Sequence, residues 1–315
     1  MRRLRSTEGI RELVRETRLH PSDLVLPLFF DERIGSARMT GSMPGVPTHP
    51  LSGYDGIASG ISESGVGSVL VFGVPSKKDA VGSQAYDPDG VVQKAVRGLK
   101  KNSDLVVITD LCMCEYTDHG HCGIMGGDDV DNDATLKSYA KIAVSQADAG
   151  ADIIAPSGMM DGQVRRIRTA LDDAGHRNIP IMAYSAKFKS SFYGPFRDIA
   201  CSSPGSEDRS GYQMQPGNIR EAVREMELDL EEGADILMVK PAMAYLDIVR
   251  EARNRFDVPI AAYQVSGEYS MIKAAGERGW VDETEVMMES LISMKRSGAD
   301  ILITYFAEAV ARRLG

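Results

Sequence analysis

Short apolar runs alternate with helix-like stretches along the whole chain, and this alternation constrains the fold more than any other feature. The runs are Leu24–Phe30, Ser68–Phe72, Leu105–Thr109, Asp152–Ala155, Ile179–Tyr184, Asp235–Val239, Val258–Tyr263 and Asp300–Tyr305. Eight β/α units in roughly 300 residues predict an α/β fold of the closed (β/α)8 TIM-barrel type. Three junctions repeat one chemistry: Gly150-Ala151-Asp152, Gly233-Ala234-Asp235 and Gly298-Ala299-Asp300. In each, glycine ends a helix and a strand follows at once. An open doubly wound sheet is the alternative, but no Gly-x-Gly-x-x-Gly follows any of the runs. The expected organisation is a barrel over 21–315, preceded by residues 1–20 and with a lid near 188–217.

A barrel presents its chemistry at the C-terminal ends of its strands. Read there, the sequence offers Asp110 with nearby cysteines, Ser157, Lys187, Lys240, Ser266 and Tyr305. Three of the four cysteines, Cys112, Cys114 and Cys122, fall within eleven residues just after the third run. That spacing offers three thiolates to one soft or borderline metal, with zinc the natural candidate. Three ligands leave a fourth position open, as in a catalytic zinc site. The structural alternative uses His119 or His121 to close the site into a knot. An iron–sulfur cluster usually takes four thiolates. A disulfide fits poorly with so few cysteines in a chain of 315 residues that shows no signal peptide.

Lys240 follows Ile236-Leu237-Met238-Val239, and Lys187 follows Ile181-Met182-Ala183-Tyr184-Ser185-Ala186. Burial at a strand end disfavours the ammonium form, and a second ammonium nearby pushes the same way. The expected product is a neutral amine that attacks a carbonyl to form a Schiff base. Against this stands the ordinary fate of a strand-end lysine, which snorkels to solvent or pairs with a carboxylate. Between Lys187 and a helix starting near Asn218, the long Ser-, Gly- and Pro-rich segment from Phe188 to Gly217 reads as a lid. It carries Arg197 and Arg209, suited to gripping a substrate carboxylate. The plain alternative is surface arginines paired with Asp198 or Asp208.

The net charge of −9 argues against nucleic acid as a partner. No apolar run approaches the ~18 residues that span a membrane. The basic Met1-Arg2-Arg3-Leu4-Arg5 is followed by no apolar segment, and Glu8, Glu12 and Glu16 argue against a transit peptide, so a cytoplasmic location is expected.

Together, Asp110 to Gly123, Tyr184-Ser185-Ala186-Lys187-Phe188, Phe192-Tyr193-Gly194-Pro195-Phe196-Arg197, Met238-Val239-Lys240-Pro241 and Tyr263-Gln264-Val265-Ser266-Gly267-Glu268-Tyr269 resemble the porphobilinogen synthase (5-aminolevulinate dehydratase) family. The resemblance runs over essentially the full chain. It implies a (β/α)8 barrel with an N-terminal arm, and the condensation of two 5-aminolevulinate molecules to porphobilinogen with loss of two waters, for tetrapyrrole synthesis. It implies that Lys240 and Lys187 are the Schiff-base lysines, on the propionate and acetate sides of the product respectively. Cys112, Cys114 and Cys122 match catalytic zinc ligands, Arg197 and Arg209 an acetate-side carboxylate grip, and Ser266 and Tyr305 propionate-side contacts. Asp110 and Ser157 match pocket-lining positions. Glu225 matches a carboxylate that in some members helps bind an allosteric magnesium between subunits. Some members also carry a cysteine for a second zinc where this chain has Gly211, which argues against that site here. The resemblance further implies a homo-octamer of arm-wrapped dimers. The cationic arm (Arg2, Arg3, Arg5, Arg11, Arg15, Arg18) would meet an acidic neighbour, with Arg5 near Glu225. Two competing readings are a Schiff-base aldolase on the same barrel, which needs one lysine and no metal, and a zinc-stabilised binding module.

Overall fold

The computed structural model describes residues 1–202 and 209–315. Strand β1 spans Leu24–Asp31, followed by a small antiparallel pair, β2 (Arg38–Met39) and β3 (Pro47–His49), that the apolar pattern does not announce. Then come β4 (Ser68–Val74), β5 (Val106–Leu111), β6 (Ile153–Pro156), β7 (Met182–Lys187), β8 (Ile236–Lys240), β9 (Ile260–Tyr263) and β10 (Ile301–Ile303). The parallel order β6-β5-β4-β1-β10-β9-β8-β7 contains all eight expected barrel strands. The ring is nearly closed between β6 and β7, where Ile154 bridges Ile181 and its N–H donates to the Pro180 carbonyl at 3.1 Å. Helices cover the outside, so most strand residues are buried on both faces, which explains the runs of Val, Ile and Leu. Burial of each such side chain contributes about 1.5–3 kcal/mol.

The helices show why the chain turns where it does. Val91–Asn102 buries Val91, Val92, Ala95, Val96 and Leu99, a stripe at helical spacing. Asn132–Asp148 starts at Asp131, whose carboxylate accepts the Ala134 N–H at 2.9 Å. The three Gly-Ala-Asp junctions do more than stop helices. Gly150, Gly233 and Gly298 adopt positive φ, as expected. In addition, each aspartate clamps the start of the preceding strand. Asp152 accepts the Val107 N–H (2.7 Å), Asp235 that of Ile181 (2.8 Å) and Asp300 that of Ile260 (2.9 Å). Each also donates its own N–H to the same residue's carbonyl, at 2.9, 3.0 and 2.8 Å.

Two expectations are adjusted. β7 ends at Lys187 rather than Tyr184, with a register shift between Ala183 and Ala186, so the lysine is the strand's last residue. The segment from Phe188 to Gly217 is not all loop. It holds a 3-10 turn, Ser191–Tyr193, and a helix, Gly194–Ile199, while its residues 203–208 lie outside the described ones. Its two ends pair beside β7, Lys189 N–H to the Met214 carbonyl (2.8 Å) and Met214 N–H to that of Lys187 (3.3 Å). Residues ahead of the barrel form a 3-10 turn, Arg2–Arg5, and a helix, Glu8–Leu13, neither of which buries a residue. Among the described residues no helix is long and apolar enough to cross a membrane.

Candidate active site

The C-terminal strand ends converge on a cavity whose wall includes Lys187, Lys240, Ser157, Arg197, Arg209, Ser266 and Tyr305. With Cys114, which also lines it, eight residues singled out in the sequence are brought together. Lys187 and Lys240 are register partners on adjacent strands and only 5% and 6% exposed. The Lys240 amine lies 4.3 Å from the Tyr263 ring centre and 5.0 Å from that of Tyr184. These ring faces give an ammonium local support. Burial, and then the neighbouring Lys187, push the Lys240 pKa down to about 7. Lys187 Nζ donates to the Ser157 carbonyl. The Lys240–Pro241 peptide is cis.

Asp110, at the end of β5, stands behind Ser157, whose hydroxyl donates to its Oδ2 at 3.1 Å. Burial raises the Asp110 pKa against the opposing pull of Lys240 and Lys187. Its carboxylate interacts with the nearby Tyr184 hydroxyl, and both groups are buried. Glu115 was not singled out in the sequence, yet it lines the cavity beside Cys114. Burial, and then Asp110, push its pKa up to about 7. Its place next to a metal-type cysteine was the only available signal.

The ligand atoms of Cys112, Cys114 and Cys122 all lie within 4.8 Å of one another, fully enclosed, with Cys112 and Cys114 Sγ 3.4 Å apart. The cluster can hold a metal ion. Hydrogen bonds from Cys112 and Cys114, assisted by Arg209 and Lys187, hold the Cys122 thiol well below its usual range. Tyr139 donates to the Cys122 carbonyl at 2.6 Å, and the Cys122 N–H donates to the Tyr212 hydroxyl at 3.3 Å. Neither histidine joins the group among the described residues: His121 Nδ1 faces the Tyr212 hydroxyl at 3.3 Å, and His119 faces the Ala80 carbonyl.

Both lid arginines reach the cavity. Arg209 is buried and donates to the carbonyls of Gly120 (3.0 Å) and Ser202 (2.8 Å), leaving Nε unpaired among the described residues. Arg197 Nε is also unpaired, and burial followed by Arg209 lowers its pKa. Neither pairs with Asp198 among the described residues, and Asp208 lies outside them. Across the cavity Tyr305 meets the Tyr263 hydroxyl at 3.1 Å, while Ser266 touches the lid backbone. Glu225 lies elsewhere, on the helix Ile219–Glu232, in a polar pocket with Glu221, Asp161 and Asp129. Burial, then Asp161 and Glu221, raise its pKa. The Asp129 carboxylate also lies beside Gly211, where a Cβ would be 2.5 Å from Oδ2, so a side chain there would require Asp129 to turn away.

A family model for delta-aminolevulinic acid dehydratase matches residues 1–313. The delta-aminolevulinic acid dehydratase of Halalkalibacterium halodurans is 54% identical over 314 residues, covering 99% of this chain and 96% of that one. The enzyme of the same name from Methanothermobacter thermautotrophicus is 53% identical, covering 98% and 94%. The crystal structure of delta-aminolevulinic acid dehydratase (porphobilinogen synthase) from Toxoplasma gondii, in complex with the reaction product porphobilinogen, superposes with a TM-score of 0.96 at 39% identity, covering 99% of this chain and 90% of that one.

Proposed function

Since the chain belongs to the delta-aminolevulinic acid dehydratase family, we propose that Lys240 and Lys187 are the two amines on which its substrates are held. The chain is a hydro-lyase of porphyrin and haem biosynthesis, and its reaction is the condensation of two 5-aminolevulinate molecules to porphobilinogen. The observation that carries the residue assignment is the side-by-side placement of the two buried lysines at the cavity wall. An aldolase-type site would need only one.

A neutral Lys240 adds to the ketone carbon of one substrate. Loss of water leaves an imine, which acidifies the adjacent carbon and makes carbon–carbon bond formation accessible. Lys187 holds the second substrate the same way, close enough for the two to meet. Arg197 and Arg209 suit the acetate-side carboxylate. Ser266 and Tyr305 offer hydroxyls to the propionate-side carboxylate. Ser157 and Asp110 back the Lys187 side, where Asp110 can accept a proton. Lid residues Phe196 and Tyr193 wall off water above Lys240. The thiol trio fits zinc, being three soft ligands of matching reach. Bound there, zinc would supply Lewis acidity at its open position.

We further assign the exposed N-terminal arm, residues 1–20, to contacts within a homo-octamer, as the family implies. The pocket at Glu225 is assigned to an allosteric magnesium reached by an arm arginine of a neighbouring subunit. Four free thiols suit the reducing cytoplasm. The direct test of the function is incubation with 5-aminolevulinate and colorimetric detection of the pyrrole. Absence of pyrrole from the metal-loaded protein would overturn the assignment.

A further inference from the structure

Ser266, Gly267 and Glu268 open the helix Ser266–Glu277, the first two against the lid and the third against the loop leaving β8. Ser266 accepts the Phe196 N–H at 3.0 Å and donates to the Phe192 carbonyl at 3.2 Å. A Cβ on Gly267 would lie 2.6 Å from that same carbonyl oxygen, so the lid seats closely only over glycine. Glu268 serves the other side. It is 1% exposed, its Oε1 accepts the Met243 N–H at 2.7 Å, and its Oε2 accepts the Val265 N–H at 2.9 Å. Met243 lies three residues beyond Lys240, and Val265 immediately precedes Ser266. One buried carboxylate thus ties the loop leaving β8 to the loop leaving β9.

Strand pairing ends at Lys240, and from there the loop needs tertiary bonds to keep its place. The Lys240 carbonyl has two, from the Phe188 N–H (2.9 Å) and the Tyr193 hydroxyl (3.2 Å). Glu268 supplies the next anchor. The anchor requires two acceptors on one rigid group, aimed at N–H donors on opposite loops. An amide of the same shape has only one acceptor oxygen and would turn its own N–H toward a backbone N–H.

We propose that Glu268 is a positioning residue, which sets the Lys240 amine and the Ser266 hydroxyl relative to each other and so shapes the substrate site they share. This rests on the reading of Lys240 as an imine-forming residue. The Lys187 amine has its own anchor in the Ser157 carbonyl and its carbonyl pairs with Met214, so its only tie to the Lys240 backbone is the strand pairing through Phe188. Loss of Glu268 therefore strikes one imine site and spares the other, whereas a carboxylate that only stabilises the fold would affect both alike.

The test is borohydride trapping in the presence of 5-aminolevulinate, with the adducts on the Lys240 and Lys187 peptides quantified by mass spectrometry for wild type, Glu268→Gln and Glu268→Asp. The expected result is a roughly tenfold or greater loss of the Lys240 adduct in Glu268→Gln, with the Lys187 adduct within about twofold of wild type, since small misplacements at a reacting group have effects of this size. Glu268→Asp keeps the charge on a shorter stem. It should show the same selective loss, smaller in size, and it carries the comparison where the glutamine variant does not fold. Unchanged adducts, or equal loss from both lysines, would overturn the proposal. Absence of a Lys240 adduct in wild type would instead overturn the imine assignment on which it stands.

Discussion

Lys187 and Lys240 end neighbouring parallel strands in register, and the second of them is pushed down to a pKa of about 7. The neutral amine is the reactive form, so the sign of the pH effect follows. Below about pH 7 the reactive fraction falls tenfold per unit, and above it the fraction saturates. The kcat/KM for 5-aminolevulinate should show an acid limb near that value. Lys240→Arg should abolish turnover, because a guanidinium stays charged and cannot form the imine. Steady-state kinetics across pH 5 to 9 checks both, and turnover retained by the arginine variant would count decisively against the role.

Holding that lysine in an apolar wall should cost stability. Its folded pKa lies below the unfolded value of roughly 10.4, so between the two the unfolded chain binds more protons and stability rises with pH. Below about pH 7 the penalty is complete. Lys240→Met should therefore be inactive yet more stable than wild type near pH 6, by on the order of a few kcal/mol, with the gap closing toward pH 10. Thermal unfolding at fixed protomer concentration tests this. A gap independent of pH would show that lost packing, not ionisation, dominates.

All three thiols come from one short stretch, so metal bound there cross-links nothing distant. A thiol-compatible chelator should abolish activity and added zinc should restore it, with little change in far-UV circular dichroism. Cys122→Ala should lose zinc and activity together. Full activity in a zinc-free Cys122→Ala protein would remove the metal from the reaction.

For assembly, magnesium should shift the protein to its larger form and raise activity, and Glu225→Gln should lose that response. Light scattering with and without magnesium separates the cases. A monomer at micromolar concentration would defeat the homo-oligomer, and identical magnesium responses would defeat only the Glu225 assignment.

The barrel was legible because each buried strand is a local apolar run, and the lysines and cysteines because their chemistry is out of place at such runs. Glu268 was not legible: it lies in the Ser266-Gly267-Glu268 stretch, but its partner on the β8 loop is 25 residues away. Nothing local in the sequence marks the tyrosines around Lys240 as its neighbours, because Tyr184 and Tyr263 meet the amine only across the folded barrel. The end of β7 was misplaced because its register shift carries the strand three residues beyond the apolar pattern. The helix Gly194–Ile199 is too short, and too interrupted by Gly194 and Pro195, to register as a helix in sequence.

The three aspartate clamps at the floor of the barrel join β5 to β6, β7 to β8 and β9 to β10. At the opposite end, the first of these pairs carries Asp110, the thiol loop and Ser157. The second carries both lysines, and the third carries Ser266 and Tyr305. The remaining pair, β1 with β4, has Gly67 where the others have aspartate and bears none of these groups. Three of the four strand pairs are therefore cassettes clipped at the base, with the thiols on one, the two lysines on the next and the Ser266 and Tyr305 hydroxyls on the third. Exchange of the thiol loop for another ligand set would be confined to one cassette, leaving the other two on their own footings.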